Sequence, residues 1–166
     1  MIFPQPQLLL VDDSPLNLRI LTEFLPERQY RCTTAQGGQQ AWEMLESEPD
    51  RFHAVLLDRI MPGMDGMEVL HKMKQHEALN QIPVIMQTAA TTHQQTVEGL
   101  QAGAYYYLAK PFDQATLQAI VDAAVRDHVS YLDIRQDLRR TTTTMRLLES
   151  GTFHFKTPEE ARNLAM

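Results

Sequence analysis

Ala54-Val55-Leu56-Leu57-Asp58-Arg59-Ile60-Met61-Pro62-Gly63-Met64-Asp65-Gly66 is the stretch that decides the fold of this chain. Four apolar residues ending in an acid are too short for a helix and predict a fully buried strand. Such strands belong to parallel sheets covered by helices on both faces. Pro62, Gly63 and Gly66 then punctuate a loop directly behind the acid. Open α/β sheets bind their ligands at the carboxyl ends of the strands, so Asp58 stands where chemistry is expected.

The same grammar repeats on either side. Leu8 to Val11 reads as a buried strand running into Asp12-Asp13, with Ser14 able to cap a helix and Pro15 in its first position. Tyr30 to Thr34 is a second, weaker strand, and Gly37-Gly38 turns into a helix carrying Ala41, Trp42 and Leu45. After the central strand come a helix over Met67 to Lys74, a strand over Pro83 to Met86, and a polar helix over Thr92 to Gln101. Tyr105 to Leu108 is the last strand, and Asp113 caps the helix that follows Lys110-Pro111-Phe112. Five strand–helix units in succession predict a doubly wound parallel α/β sheet with right-handed crossovers.

Composition narrows the function classes. At 166 residues, with 43% hydrophobic content, the chain suits one domain plus an appendage. No apolar run approaches the roughly 18 residues of a membrane helix. The amino terminus lacks the pattern of a signal peptide, and a single cysteine, Cys32, excludes an internal disulfide. These features lead us to expect a cytoplasmic protein without a membrane partner. A net charge of −6 argues against direct nucleic-acid binding.

The strand ends carry a consistent chemistry. The first offers Asp12 and Asp13, the third Asp58, the fourth Thr88 and the fifth Lys110. Three carboxylates close together raise one another's pKa unless a cation neutralises them. Mg²⁺, which favours one or two carboxylates with waters and a phosphate oxygen, suits that set. Lys110 would meet a phosphoryl oxygen and Thr88 would donate beside it, an arrangement for phosphoryl transfer with Asp58 as nucleophile. One acid at a strand end is as readily a helix cap; five such residues in register are not.

Asp12-Asp13, Asp58 with Met61-Pro62-Gly63-Met64-Asp65-Gly66, Thr88-Ala89 and Lys110-Pro111-Phe112 together resemble the receiver domain of bacterial two-component response regulators, the CheY-like domains. The resemblance covers about residues 6 to 127. It implies a flavodoxin-like five-stranded sheet in the order 2-1-3-4-5. It also implies that Asp58 accepts phosphate from a sensor histidine kinase or a phosphotransfer protein. Asp13, Asp58 and the backbone carbonyl of Ile60 would hold Mg²⁺, with Asp12 helping through a water. Thr88 and Tyr107 would form the switch pair, and Lys110 would bind the phosphate. When Thr88 swings toward a phosphorylated Asp58, Tyr107 can turn into the space vacated. Such a domain is not itself an enzyme beyond promoting its own phosphorylation and dephosphorylation.

Several positions depart from the usual pattern. Ile60 and Ala90 are apolar where a polar side chain could assist an attacking water, which predicts a long-lived aspartyl phosphate. Ile60 also stands where haloacid-dehalogenase phosphatases need a second acid, which argues against that alternative. Gln87 is an unexplained polar residue in a buried strand, and Arg59 is expected to point to solvent. Asp65 turns the loop before Gly66, the methionines Met61, Met64 and Met67 suit packing, and the six histidines lack metal-ligand spacing.

Past residue 127 the helical pattern continues. Leu117, Ile120, Ala124, Asp127, Tyr131, Ile134, Leu138, Thr141, Met145 and Leu148 recur three and four apart. That seam predicts a coiled-coil extension over residues 128–150 pairing two protomers in parallel, with a possible break at Thr141 to Thr144. A helix folded back on its own domain is the alternative. Residues 151–166 read as a strand and a capped helix start, expected to open a truncated effector domain. The segment Phe153-His154-Phe155-Lys156-Thr157-Pro158-Glu159-Glu160-Ala161 resembles the start of ATP-binding kinase domains related to anti-sigma factors. An enzyme of that kind fused behind the receiver is the second functional reading.

Overall fold

Side chains of a strand alternate between its two faces, and the first strand of this chain is apolar on both. In a computed structural model, which describes residues 5–89 and 92–149, that strand is β1 (Gln7–Val11). It is followed by α1 (Pro15–Phe24), β2 (Arg31–Ala35), α2 (Gly38–Ser47), β3 (Ala54–Asp58) and α3 (Gly66–Gln75). Then come β4 (Val84–Thr88), α4 (His93–Gln101), β5 (Tyr106–Ala109) and α5 (Gln114–Glu149). The five strands form one parallel sheet, as the strand–helix alternation predicts, in the order β2-β1-β3-β4-β5 that the receiver resemblance implies.

The alternation builds two cores. Leu9, Val11, Val55, Leu57, Val84 and Met86 pack on one face against Ala41 and Leu45 of α2 and Val69, Leu70 and Met73 of α3. Leu8, Leu10, Ala54, Leu56, Ile85 and Leu108 pack on the other against Leu18 and Leu21 of α1 and Leu117, Val121 and Ala124 of α5. Each fully buried leucine contributes about 1.5–3 kcal/mol, so the central strands anchor the sheet from both sides. Cys32 packs half-buried against the second core.

Local signals set the helix starts. Ser14 caps α1 with Pro15 in its first turn, and Asp65 and Glu68 form a reciprocal capping box on α3. Asp113 accepts from the Thr116 amide at 2.8 Å, ahead of α5. Three strands, β2, β4 and β5, start one residue later than their hydrophobicity suggests. Tyr30 is buried in a turn, its amide donating to the Pro26 carbonyl, and β2 begins at Arg31.

One compact unit ends at Val129 and a second begins at Ser130. The helix is not interrupted at the threonines. The hydroxyls of Thr141, Thr142 and Thr144 donate to the carbonyls of Asp137, Leu138 and Arg140, which satisfies them inside the helix. Ile134, Leu138 and Met145 of the seam are 62%, 63% and 58% exposed. The Leu148 side chain, Ala90 and the expected strand and helix of 151–166 lie outside the described residues. Among the described residues no helix is long and apolar enough to cross a membrane.

Candidate functional site

Asp12 follows the last residue of β1, and the cap of α1 turns the chain back over it. The Ser14 amide donates to Asp12 Oδ1 at 2.9 Å, and the Asn17 side-chain amide reaches both carboxylate oxygens at 3.1 Å. Asp12 is buried, while Asp13 beside it is exposed. Asp58 ends β3, also buried. The loop behind it closes tightly: Gly66 donates to the Arg59 carbonyl at 3.0 Å, and a Cβ on Gly66 would collide with the Asp58 carbonyl oxygen. Only glycine allows that approach.

Lys110 joins the acids. Its ammonium donates to Asp12 Oδ2 at 2.8 Å and to Asp58 Oδ1 at 2.9 Å. One carboxylate oxygen from each of Asp12, Asp13 and Asp58 lies within 4.8 Å of the others, a grouping able to hold a metal ion. Burial raises the pKa of Asp58; Lys110 works against that rise and the charges of Asp12 and Asp13 add to it. Burial acts to lower the pKa of Lys110, but its bonds to Asp12 and Asp58 prevail and hold it above its ordinary value.

Strand parity separates the other predicted residues. Asp58, Gln87 and Lys110 share the parity of the α1/α5 side, Thr88 and Tyr107 that of the α2/α3 side. Thr88 is buried, and its carbonyl accepts from the Lys110 amide at 2.7 Å, tying the two strand ends together. Tyr107 is half-buried with its ring against α4, where a Cβ on Gly99 would come 2.5 Å from the ring. The side chain of Ile60 is 69% exposed in the loop after Asp58.

Arg59 corrects an expectation. Its side chain does not point to solvent: it donates to the Tyr107 hydroxyl at 2.8 Å, to the Gln95 carbonyl at 3.3 Å and to Glu98 at 3.1 Å. A partly buried guanidinium finds these acceptors because its fork can serve several at once.

The profile of the response regulator receiver domain matches residues 8–122. The chain belongs to that family. Receiver domains are phosphorylation-controlled modules of two-component signalling. Response regulator PleD of Caulobacter vibrioides is 36% identical over 131 residues, 78% of this chain and 28% of PleD. Transcriptional regulatory protein SrrA of Staphylococcus aureus is 33% identical over 120 residues, 72% of this chain and 48% of SrrA. The receiver thus spans less than half the length of either relative. Among solved structures, the CheX–CheY–BeF3–Mg²⁺ complex from Borrelia burgdorferi matches at TM-score 0.67 and 28% identity, over 71% of this chain and 87% of that one.

Two neighbours of the acid cluster escape a reading of the receiver's sequence alone. Asn17 is an ordinary helix residue until the cap of α1 folds it onto Asp12. Arg59 reads as a charged loop residue, and its partners lie in α4 and β5, far along the chain.

Proposed function

We propose that Asp58 is the phosphoryl acceptor of this receiver and that a sensor histidine kinase or phosphotransfer protein is the donor. The observation that carries this reading is the Lys110 ammonium bridging Asp12 and Asp58, with Asp13 alongside. The Asp58 carboxylate attacks phosphorus, and the donor's bond to phosphorus breaks with the electron pair leaving on the donor. Lys110 meets a phosphoryl oxygen, and the Thr88 hydroxyl donates to another. Asp12 is fixed by Ser14 and Asn17, so it needs no rearrangement to serve.

Three acids and one lysine leave the cluster net negative, and its donors are hard oxygens, which fits a divalent cation such as Mg²⁺. Asp13, Asp58 and the Ile60 carbonyl would hold it directly, with Asp12 through a water. When bound, Mg²⁺ supplies charge neutralisation for the transferring group. The Mg²⁺ in the CheX–CheY complex of a related structure supports that assignment.

Thr88 and Tyr107 are the switch in this reading, their movement altering the α4, β5 and α5 surface. Output runs through a homodimer paired along the exposed Ile134, Leu138 and Met145 seam, or through a fused effector. Acetyl phosphate with Mg²⁺, followed by intact mass and sedimentation velocity, tests the proposal. Wild type gains one phosphoryl group and changes its association, whereas Asp58→Ala gains none. A phosphorylated Asp58→Ala protein would refute the acceptor assignment. Unchanged sedimentation between wild type and Leu138→Asp would refute the dimer.

A further inference from the structure

Gln87 lies in the middle of the sheet, paired in register with Asp58 on one side and Leu108 on the other. Its side chain is 0% exposed, and neither the oxygen nor the nitrogen of its amide meets a hydrogen-bond partner among the described residues. An amide withdrawn from water without partners carries a heavy desolvation penalty, and native interiors rarely leave one so. Gln87 lines a cavity of about 280 Å³, walled by Ile20 and Phe24 of α1 and by Phe112, with Asn17 and Lys110 at its polar end.

We propose that this cavity binds a small, flat, uncharged molecule with an adjacent hydrogen-bond donor and acceptor, of the carboxamide or lactam class. The chemistry of each wall selects that class. The Gln87 amide is closed to water in this structure; turned toward the cavity it lines, it offers one donor and one acceptor side by side, which a second amide edge meets with two parallel bonds. Ile20, Phe24 and Phe112 accept an aromatic or aliphatic ring body. The volume falls near the lower end of the range for ligand pockets, roughly 300–1,000 Å³, which limits the guest to about one ring. An anion is disfavoured, because the Lys110 ammonium already serves Asp12 and Asp58, and those acids stand close behind it.

The position gives the site a second meaning. Asn17 and Lys110 line the cavity and also hold the acid cluster, so a guest rests against the side chains that fix Asp12 and Asp58. Binding is measured on the unphosphorylated wild-type chain, so its outcome is read apart from phosphorylation.

Benzamide and pyridone are the probes, with toluene as the ring without an edge and benzoate as the charged counterpart. Heteronuclear NMR follows the Gln87 side-chain amide and the Ile20 and Phe112 neighbourhood during titration of the full chain. Saturable shifts from benzamide and pyridone, and none from benzoate, are expected. Gln87→Leu replaces the edge with an apolar group suited to its surroundings, so the fold is retained while benzamide binds about tenfold more weakly or worse. Ile20→Trp, at the rim on α1, blocks entry and abolishes the shifts without touching Gln87. Equal benzamide affinity in Gln87→Leu would overturn the proposal. So would the absence of saturable shifts with either probe, as expected if the cavity holds only water or receives a side chain of another protein.

Discussion

Replacing Lys110 by methionine removes the cation between two buried carboxylates while keeping a flexible, unbranched side chain one atom shorter. Its ammonium makes two charge-assisted bonds, at 2.8 and 2.9 Å, and the side chain is 21% exposed, so solvent screening is modest. Breaking a buried ion pair by removing one partner costs about 3–5 kcal/mol, and relief of the lysine's own burial brings the expected loss to the lower end, about 3 kcal/mol. For a unit of this size that corresponds to a fall in Tm of roughly 10 °C at neutral pH. The dependence on pH is the sharper test. Lys110 is what holds the Asp58 pKa down against burial and the neighbouring acids. Without it that pKa climbs further, and a carboxyl whose folded pKa is raised contributes stability below the unfolded value of about 3.9 and loses it as pH rises. The Tm gap between Lys110→Met and wild type therefore narrows on acidification toward about pH 4. Added Mg²⁺ narrows it at neutral pH by supplying the missing charge. Thermal melting by circular dichroism reads all three effects. A Tm within about 1 °C of wild type at neutral pH, or a gap that widens in acid, would refute the electrostatic account.

Other expectations follow from single positions. The aspartyl phosphate decays slowly because Ile60 presents no polar group near the acceptor, and Ile60→Asn shortens its lifetime; equal decay of the two by mass spectrometry counts against that reasoning. Burial pushes the Cys32 thiol up to about 11, so it reacts sluggishly with a disulfide reagent at neutral pH and quickens as pH rises; rapid labelling in the folded state would contradict this. In Gly99→Ala the new methyl meets the Tyr107 ring, an overpacking cost of about 1–3 kcal/mol. That cost exceeds the roughly 1 kcal/mol that alanine adds to a helix. A lower Tm is expected, recovered when Tyr107 is also shortened to leucine, and a Tm above wild type would sink the argument.

Four strands were legible because they are short apolar runs ending in acids, a hydroxyl or a lysine, each bounded by a cap or a glycine, while β2, an edge strand of mixed Arg31-Cys32-Thr33-Thr34-Ala35, reads more weakly. Ser14 and Asp113 announce their helices by local hydrogen bonding alone, which a window of four residues contains, whereas Asp65, read as a loop turn, proves to cap α3 together with Glu68. Three features lay beyond such a window. Arg59 finds Tyr107 and Glu98 only once α4 packs against β5, so its loop position says nothing of its partners. Thr141 to Thr144 look like a break by propensity, yet their hydroxyls bond within the helix. Gln87 stood out as polar in an apolar strand, but its meaning needs the cavity that α1 and the Pro111-Phe112 turn build around it.

A strand's side chains change sides at every residue, so one step along β4 separates Gln87, beneath the acids, from Thr88, on the tyrosine's side. Deleting a single residue upstream in that strand would transpose the two, putting a hydroxyl into the cavity and an amide beside Tyr107. The sheet thus separates the face that carries Asp58 and Gln87 from the face that carries Thr88 and Tyr107. Counting residues along one strand is what keeps the two faces distinct.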